Sequence, residues 1–179
     1  MNDTGQEFIA RSRYHLVEDF LPKIERCLER LTDDQIWWRP NEQSNSIGNL
    51  VLHLCGNARQ WIVCGVGGAA DSRNRDAEFA QRDVVARGEL QALLKKTLSA
   101  VVDDTLGAYD SKRLLERRTI QGSDVSALEA ILHVVEHFAM HTGQILMLTK
   151  MVTNSDLEFY KFDGANAVAQ WKNDAASSA

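Results

Sequence analysis

Apolar residues recur at three- and four-residue steps along four stretches of this chain, the periodicity of helices that bury one face. The first stretch runs from about Asp3 to Leu31, through Phe8, Ile9, Leu16, Val17, Phe20, Ile24 and Leu28. Pro22 lies inside it and predicts a kink, because proline has no N–H for the helical ladder. Thr32-Asp33-Asp34 reads as a cap for a short turn that carries Trp37 and Trp38 and closes at Pro40. Ser44-Asn45-Ser46 opens a second helix, about Ile47 to Cys64, with Leu50, Val51, Leu54, Ala58, Trp61 and Ile62 on its apolar face; Gly65, Gly67 and Gly68 end it.

Residues 69–87 are polar and charged and read as a long surface connection. A third helix is predicted over Gly88 to Leu106. Residues 107–125 carry no clear pattern, and Gly122-Ser123-Asp124 reads as a turn. Ser126 and Glu129 then have capping-box spacing, opening a fourth helix to about Val152. Beyond it Phe159, Tyr160, Phe162 and Trp171 are aromatic anchors, and the segment from about residue 172 reads as loose. No internal repeat is present, and no alternation is long enough to build a sheet. The pattern predicts one all-α domain over residues 1–179, a four-helix bundle with long connections.

Composition narrows the class. The chain has 179 residues, 44% of them apolar, with 20 Lys plus Arg against 25 Asp plus Glu and a formal net charge of −5. A mildly acidic chain with no basic run is a poor match for nucleic acid. No stretch reaches the ~18 apolar residues of a membrane span, and the N-terminus lacks the signature of a signal peptide. Three cysteines, Cys27, Cys55 and Cys64, without a CxxC spacing, read as free thiols of a reducing, cytoplasmic compartment.

The chemistry concentrates in the histidines. His133, His137 and His141 stand four residues apart in the fourth helix. Neighbours at i and i+4 are offset by only about 40° and can converge on one ion, whereas the outer two lie roughly 12 Å apart along the axis. A mononuclear site therefore needs an adjacent pair and a ligand from elsewhere. That helix is apolar nearly all round, which predicts the deepest burial, and buried imidazoles need partners. In the second helix Ser46, Asn49, His53, Asn57 and Gln60 form a narrow polar stripe. If it faces inward, His53 can meet His137 and His141; the same spacing equally describes a stripe facing solvent. His15 reads as a surface or locally satisfied histidine, the cysteines as small core residues, and the charged run from Arg73 to Glu78 as a solvated loop first and a lid or substrate contact second. Trp37 and Trp38 read as a core plug or an interface patch.

Two segments resemble a known superfamily. Asn45-Ser46-Ile47-Gly48-Asn49-Leu50-Val51-Leu52-His53-Leu54, with Gly56-Asn57, is similar to the second-helix motif of the DinB-like proteins, also described as YfiT-like metal-dependent hydrolases. His133-Val134-Val135-Glu136-His137 with His141-Thr142-Gly143-Gln144-Ile145 is similar to their last-helix motif. Trp37-Trp38-Arg39-Pro40-Asn41 and Arg73-Asn74-Arg75-Asp76-Ala77-Glu78-Phe79 resemble one bacterial branch of unassigned function.

The resemblance covers roughly residues 5–165. It implies a homodimeric four-helix bundle with a divalent metal on His53, His137 and His141, and places His133 behind the ligands or in the cavity wall. It further implies a small-molecule substrate, since relatives of known activity include bacillithiol-using thiol-S-transferases and a mycothiol-dependent maleylpyruvate isomerase. Imidazole suits zinc or nickel. Asn57 and Gln144 are placed to orient an imidazole or a water, and Glu136 to act behind a ligand or between helices. Three readings follow: a metal-dependent hydrolase or thiol-S-transferase, a non-catalytic, stress-related metal-binding bundle, and a metal-free interaction module using the Trp37-Trp38 surface.

Overall fold

The computed structural model describes residues 3–171, so the expectation of a loose segment from about residue 172 lies outside the described residues. Among the described residues, four long helical stretches form the body. The first comprises α1 (Thr4–Tyr14), a π-helical stretch His15–Phe20 and α2 (Leu21–Glu29). After the short α3 (Asp33–Trp37), the second comprises α4 (Ile47–Ala58) and a π-helical stretch Arg59–Val66. The third, after a short α5 (Arg75–Ala80), comprises α6 (Arg87–Ser99) and a π-helical stretch Ala100–Leu106. The fourth is α7 (Ala127–Thr153), opened by the expected box: Ser126 Oγ accepts from the Glu129 N–H, and Glu129 Oε2 accepts from the Ser126 N–H at 2.7 Å. The fold is all-α in its core, with α7 packed on α2, α4 and the stretch after α4, and α6 packed on α2 and α4. Among the described residues no helix is long and apolar enough to cross a membrane.

The chain stays helical through Pro22, which sits at the start of α2 directly after the π-helical stretch. The Glu18 carbonyl, which proline cannot serve by an α-helical bond, accepts instead from the Trp171 indole N–H at 3.2 Å. Trp171 and Phe159 are buried anchors, but Tyr160 and Phe162 are 50% and 70% exposed, correcting the expectation for those two. Trp37 is core, its indole donating to the Val85 carbonyl at 3.0 Å, while Trp38 is exposed; the paired-tryptophan surface does not form.

Two small ribbons correct the expectation of no sheet. β1 (Arg117–Ile120) pairs antiparallel with β2 (Ser123–Ser126), and β3 (Tyr160–Asp163) with β4 (Asn166–Ala169). Each strand has four residues, too short for alternation to stand out. The first ribbon turns on Gln121 and Gly122, both at positive φ (52° and 78°), as a two-residue I′ hairpin requires. Ile120, 4% exposed, plugs this ribbon into the core. All three cysteines are buried and free, and burial raises the Cys27 and Cys55 thiols to about 11 and about 12. The expectation that the fourth helix is the most deeply buried fails, because α4 is buried along nearly its whole length and α7 is not. Leu132, Met140, Met147 and Met151, spaced along one face, are 40–65% exposed.

Phe138 is fully buried on α7. Replacing it by alanine should cost about 3–5 kcal/mol through lost burial and a residual cavity, and Ser126→Ala about 1 kcal/mol through the lost cap. Urea unfolding midpoints measure both, and the order of the two effects should not reverse.

Candidate metal centre

The capping box of Ser46 and Asn49 starts α4 in a register that turns its polar stripe inward. Ser46 and Asn49 are fully buried, His53 is 5% and Asn57 3% exposed, so the solvent-facing alternative is excluded. Each member finds a partner. Asn49 Nδ2 donates to the carbonyls of Glu78 (2.8 Å) and Gln81 (3.1 Å), and its Oδ1 accepts from Arg39 Nη2 at 2.9 Å. Asn57 Nδ2 donates to His133 Nε2 at 3.1 Å. Gln60 Oε1 accepts from Arg73 Nη1 at 2.9 Å.

His53 faces α7. Its Nε2 lies 2.8 Å from His137 Nε2, and its ring centre is 4.8 Å from that of His137 and 5.2 Å from that of His141. The His137 and His141 rings are 4.4 Å apart. One ligand atom from each of the three lies within 4.8 Å of the others, a group that can hold a metal ion. At Zn–N distances of about 2.0–2.1 Å, two tetrahedral imidazole nitrogens stand about 3.3 Å apart, so the closest pair needs to part by only about half an ångström. Gln144 Oε1 lies 2.7 Å from His141 Nδ1 and accepts its proton, leaving Nε2 of that ring with a free lone pair.

His133 stands beside this group, outside it. It stacks on Trp61 at 4.0 Å and its Nε2 is occupied by Asn57. Asn57 Oδ1 and the Trp61 indole nitrogen are buried without a hydrogen-bond partner in the protein. Glu136 is exposed and acts on His133 through its charge.

The stretch read as a solvated loop is the main correction. Arg73 and Glu78 have side chains only 5% and 11% exposed. Arg73 donates to both Glu78 oxygens, Nε to Oε1 at 2.7 Å and Nη2 to Oε2 at 2.8 Å, and Glu78 Oε2 lies 2.9 Å from His53 Nδ1. Phe79 covers the His53 ring at 4.5 Å, and Arg75 lies over Phe79. One local signal existed: Asn74 caps α5, with Asp76 and Glu78 in the first turn. Which side of α5 would meet α4 had no such signal.

The electrostatics favour neutral rings. Burial, then the facing imidazoles of His141, His53 and His133 and the charge of Arg73, push His137 down to about 3. Burial likewise lowers His141 and His133, opposed at His141 by Gln144 and at His133 by Glu136. Burial alone would raise Glu78, but hydrogen bonds from Arg73 and His53 outweigh it and hold the carboxyl below its ordinary value. Neutral imidazoles present lone pairs, which is the state a cation requires.

The helical fold is DinB-like. The structure is similar to the crystal structure of a DinB-like protein from Bacillus cereus ATCC 10987, with a TM-score of 0.60 at 16% identity, covering 76% of this chain and 93% of that one. It is also similar to that of a conserved protein from Enterococcus faecalis, with a TM-score of 0.63 at 14% identity, covering 84% and 96%. No curated protein matches the sequence. The chain belongs to the DUF1572 family, described as proteins of unknown function, whose model matches residues 3–163.

A histidine whose folded pKa lies below its unfolded value binds fewer protons when folded, so its stabilisation is complete above about 6.5 and drains away as pH falls toward the folded value. Glu78, with its lowered pKa, acts in the same direction below 4.5. The urea midpoint of the metal-free protein should therefore fall steadily from pH 7 to pH 4. A midpoint constant over that range contradicts the burial described.

Proposed function

We propose that this protein is a divalent-metal-dependent enzyme acting on a small molecule, with His53, His137 and His141 as ligands, and that its reaction is thiol-S-transfer or hydrolysis. The observation that carries the reading is the convergence of three imidazoles from α4 and α7, two of them held by Gln144 and Glu78 through their other nitrogens. Three neutral ligands leave a divalent ion its positive charge and an open position, the catalytic rather than the structural pattern. Zinc and nickel both suit the donor set. A bound ion would act as a Lewis acid, lowering the pKa of a water or thiol that it binds.

The chain's own groups favour the thiol reaction. Glu78 is engaged by Arg73 and His53, and Glu136 is exposed on another face, so neither carboxylate stands free to take a proton from water at the centre. A bound thiol would release its proton to solvent, and because a free thiol is already far more acidic than water it makes the smaller demand on the ion. The exposed Leu132, Met140, Met147 and Met151 face of α7 supports a homodimer, since apolar stripes of that kind mark association surfaces.

Protein purified without a histidine tag should carry about one equivalent of transition metal per chain, and a folded His137→Ala variant should lose it. Full occupancy in that variant, or metal-free wild type that cannot be loaded with zinc or nickel, removes the proposal. The loaded protein should conjugate a small thiol to monochlorobimane or a related electrophile. Silence with thiols, esters and amides alike would leave a non-catalytic metal-binding protein. Light scattering should give twice the chain mass, and Met140→Glu/Met147→Glu should halve it.

A further inference from the structure

We propose that Glu78, gripped by Arg73, is the positioning residue of the three-histidine centre: it holds the proton of His53 on Nδ1 and so presents the Nε2 lone pair to the ion shared with His137 and His141. The inference rests on the reading that these histidines hold a divalent ion. It makes the polar segment over residues 71–81 a working part of the centre.

Three observations carry it. First, His53 Nδ1 lies 2.9 Å from Glu78 Oε2, and only a protonated nitrogen is stable against a carboxylate oxygen at that distance. Arg73 Nη2 also comes within 3.1 Å of Nδ1, but the nearer and anionic acceptor decides where the proton sits. A neutral ring with its proton on Nδ1 has its lone pair on Nε2, the atom that faces His137. Second, the carboxylate is itself fixed. Arg73 holds both of its oxygens in a fork, and Gln60 holds Arg73. Asn49 holds the Glu78 backbone through its carbonyl.

Third, α4 is cut away to admit the pair. A Cβ on Gly56 would stand 1.9 Å from Glu78 Oε1 and 3.0 Å from Arg73 Nε. Glycine within a helix is unfavourable by about 1 kcal/mol relative to alanine, and here its missing side chain is the space that the carboxylate occupies. A histidine oriented in this way by a carboxylate is a recurrent arrangement at metal ions, and loss of the orienting group typically lowers metal affinity 10- to 100-fold.

Gly56→Ala gives the cleanest test, because it touches no histidine, favours the helix and pushes the Glu78 carboxylate aside. Two readouts are used: zinc affinity by competition with a chromophoric chelator, and the tautomer of His53 by ¹⁵N NMR of the metal-free protein. Wild type should show His53 with its proton on Nδ1. Gly56→Ala and Glu78→Ala should each lower zinc affinity about 10- to 100-fold and release the tautomer. Glu78→Gln, which keeps an acceptor oxygen, should retain the tautomer and most of the affinity.

If Glu78→Ala does not fold, Gly56→Ala and Glu78→Asp, one methylene short of His53, carry the same expectation. A folded Gly56→Ala with wild-type affinity and unchanged tautomer overturns the proposal, as does a wild-type His53 protonated on Nε2. Wild type that binds no zinc or nickel while the tautomer still depends on Glu78 refutes the metal reading and spares the orientation of His53 by Glu78.

Discussion

A polar group buried in an apolar core must find a partner, and the rest of this structure follows from how one row of such groups is satisfied. Ser46, Asn49, His53 and Asn57 lie on the inward side of α4, all of them at most 5% exposed. An unpaired amide or imidazole in that position costs a few kcal/mol, comparable with the net stability of a domain of this size. The row therefore dictates its surroundings. Asn49 draws residues 78–81 across the helix, Asn57 takes His133 from α7, and His53 stands between Glu78 on one side and His137 on the other.

The same row explains the electrical character of the centre. His137 and His141 resist protonation because burial penalises the charge and facing imidazoles oppose it. Arg73 is the cation nearest to them, and its charge is balanced by Glu78 in a bidentate pair. What faces the middle of the group is thus neutral imidazole, with one of the Nε2 atoms of His53 and His137 carrying the hydrogen of their 2.8 Å bond, while the ionic pair lies behind His53. A bare ion pair buried in this way would be of doubtful benefit to stability. Its value here lies in fixing where one imidazole points.

Solved structures at 14–16% identity share the fold over most of their length. A likeness at that distance shows the fold and says little about substrate. The three histidines form a group that could hold a metal ion, and Arg73 and Glu78 beside it come from a segment outside the main helical stretches.

The sequence by itself determined the long helical stretches and where they begin, because periodicity, the opening at Ser44 to Ser46, the box at Ser126 and the break at Gly67 and Gly68 act between residues a few positions apart. It also brought forward His53, His137 and His141, because residue type and helical spacing are local properties and the motif segments resemble a known superfamily. It did not determine which way the stripe of α4 faced, since an inward and an outward stripe have the same spacing. Nor did it reveal that Glu78 would meet His53, 25 residues earlier, that α7 would leave four large apolar side chains exposed, or that four-residue strands would pair. Those outcomes depend on contacts between segments distant in the chain, where packing and the satisfaction of buried polar groups decide, and only the folded molecule holds that information.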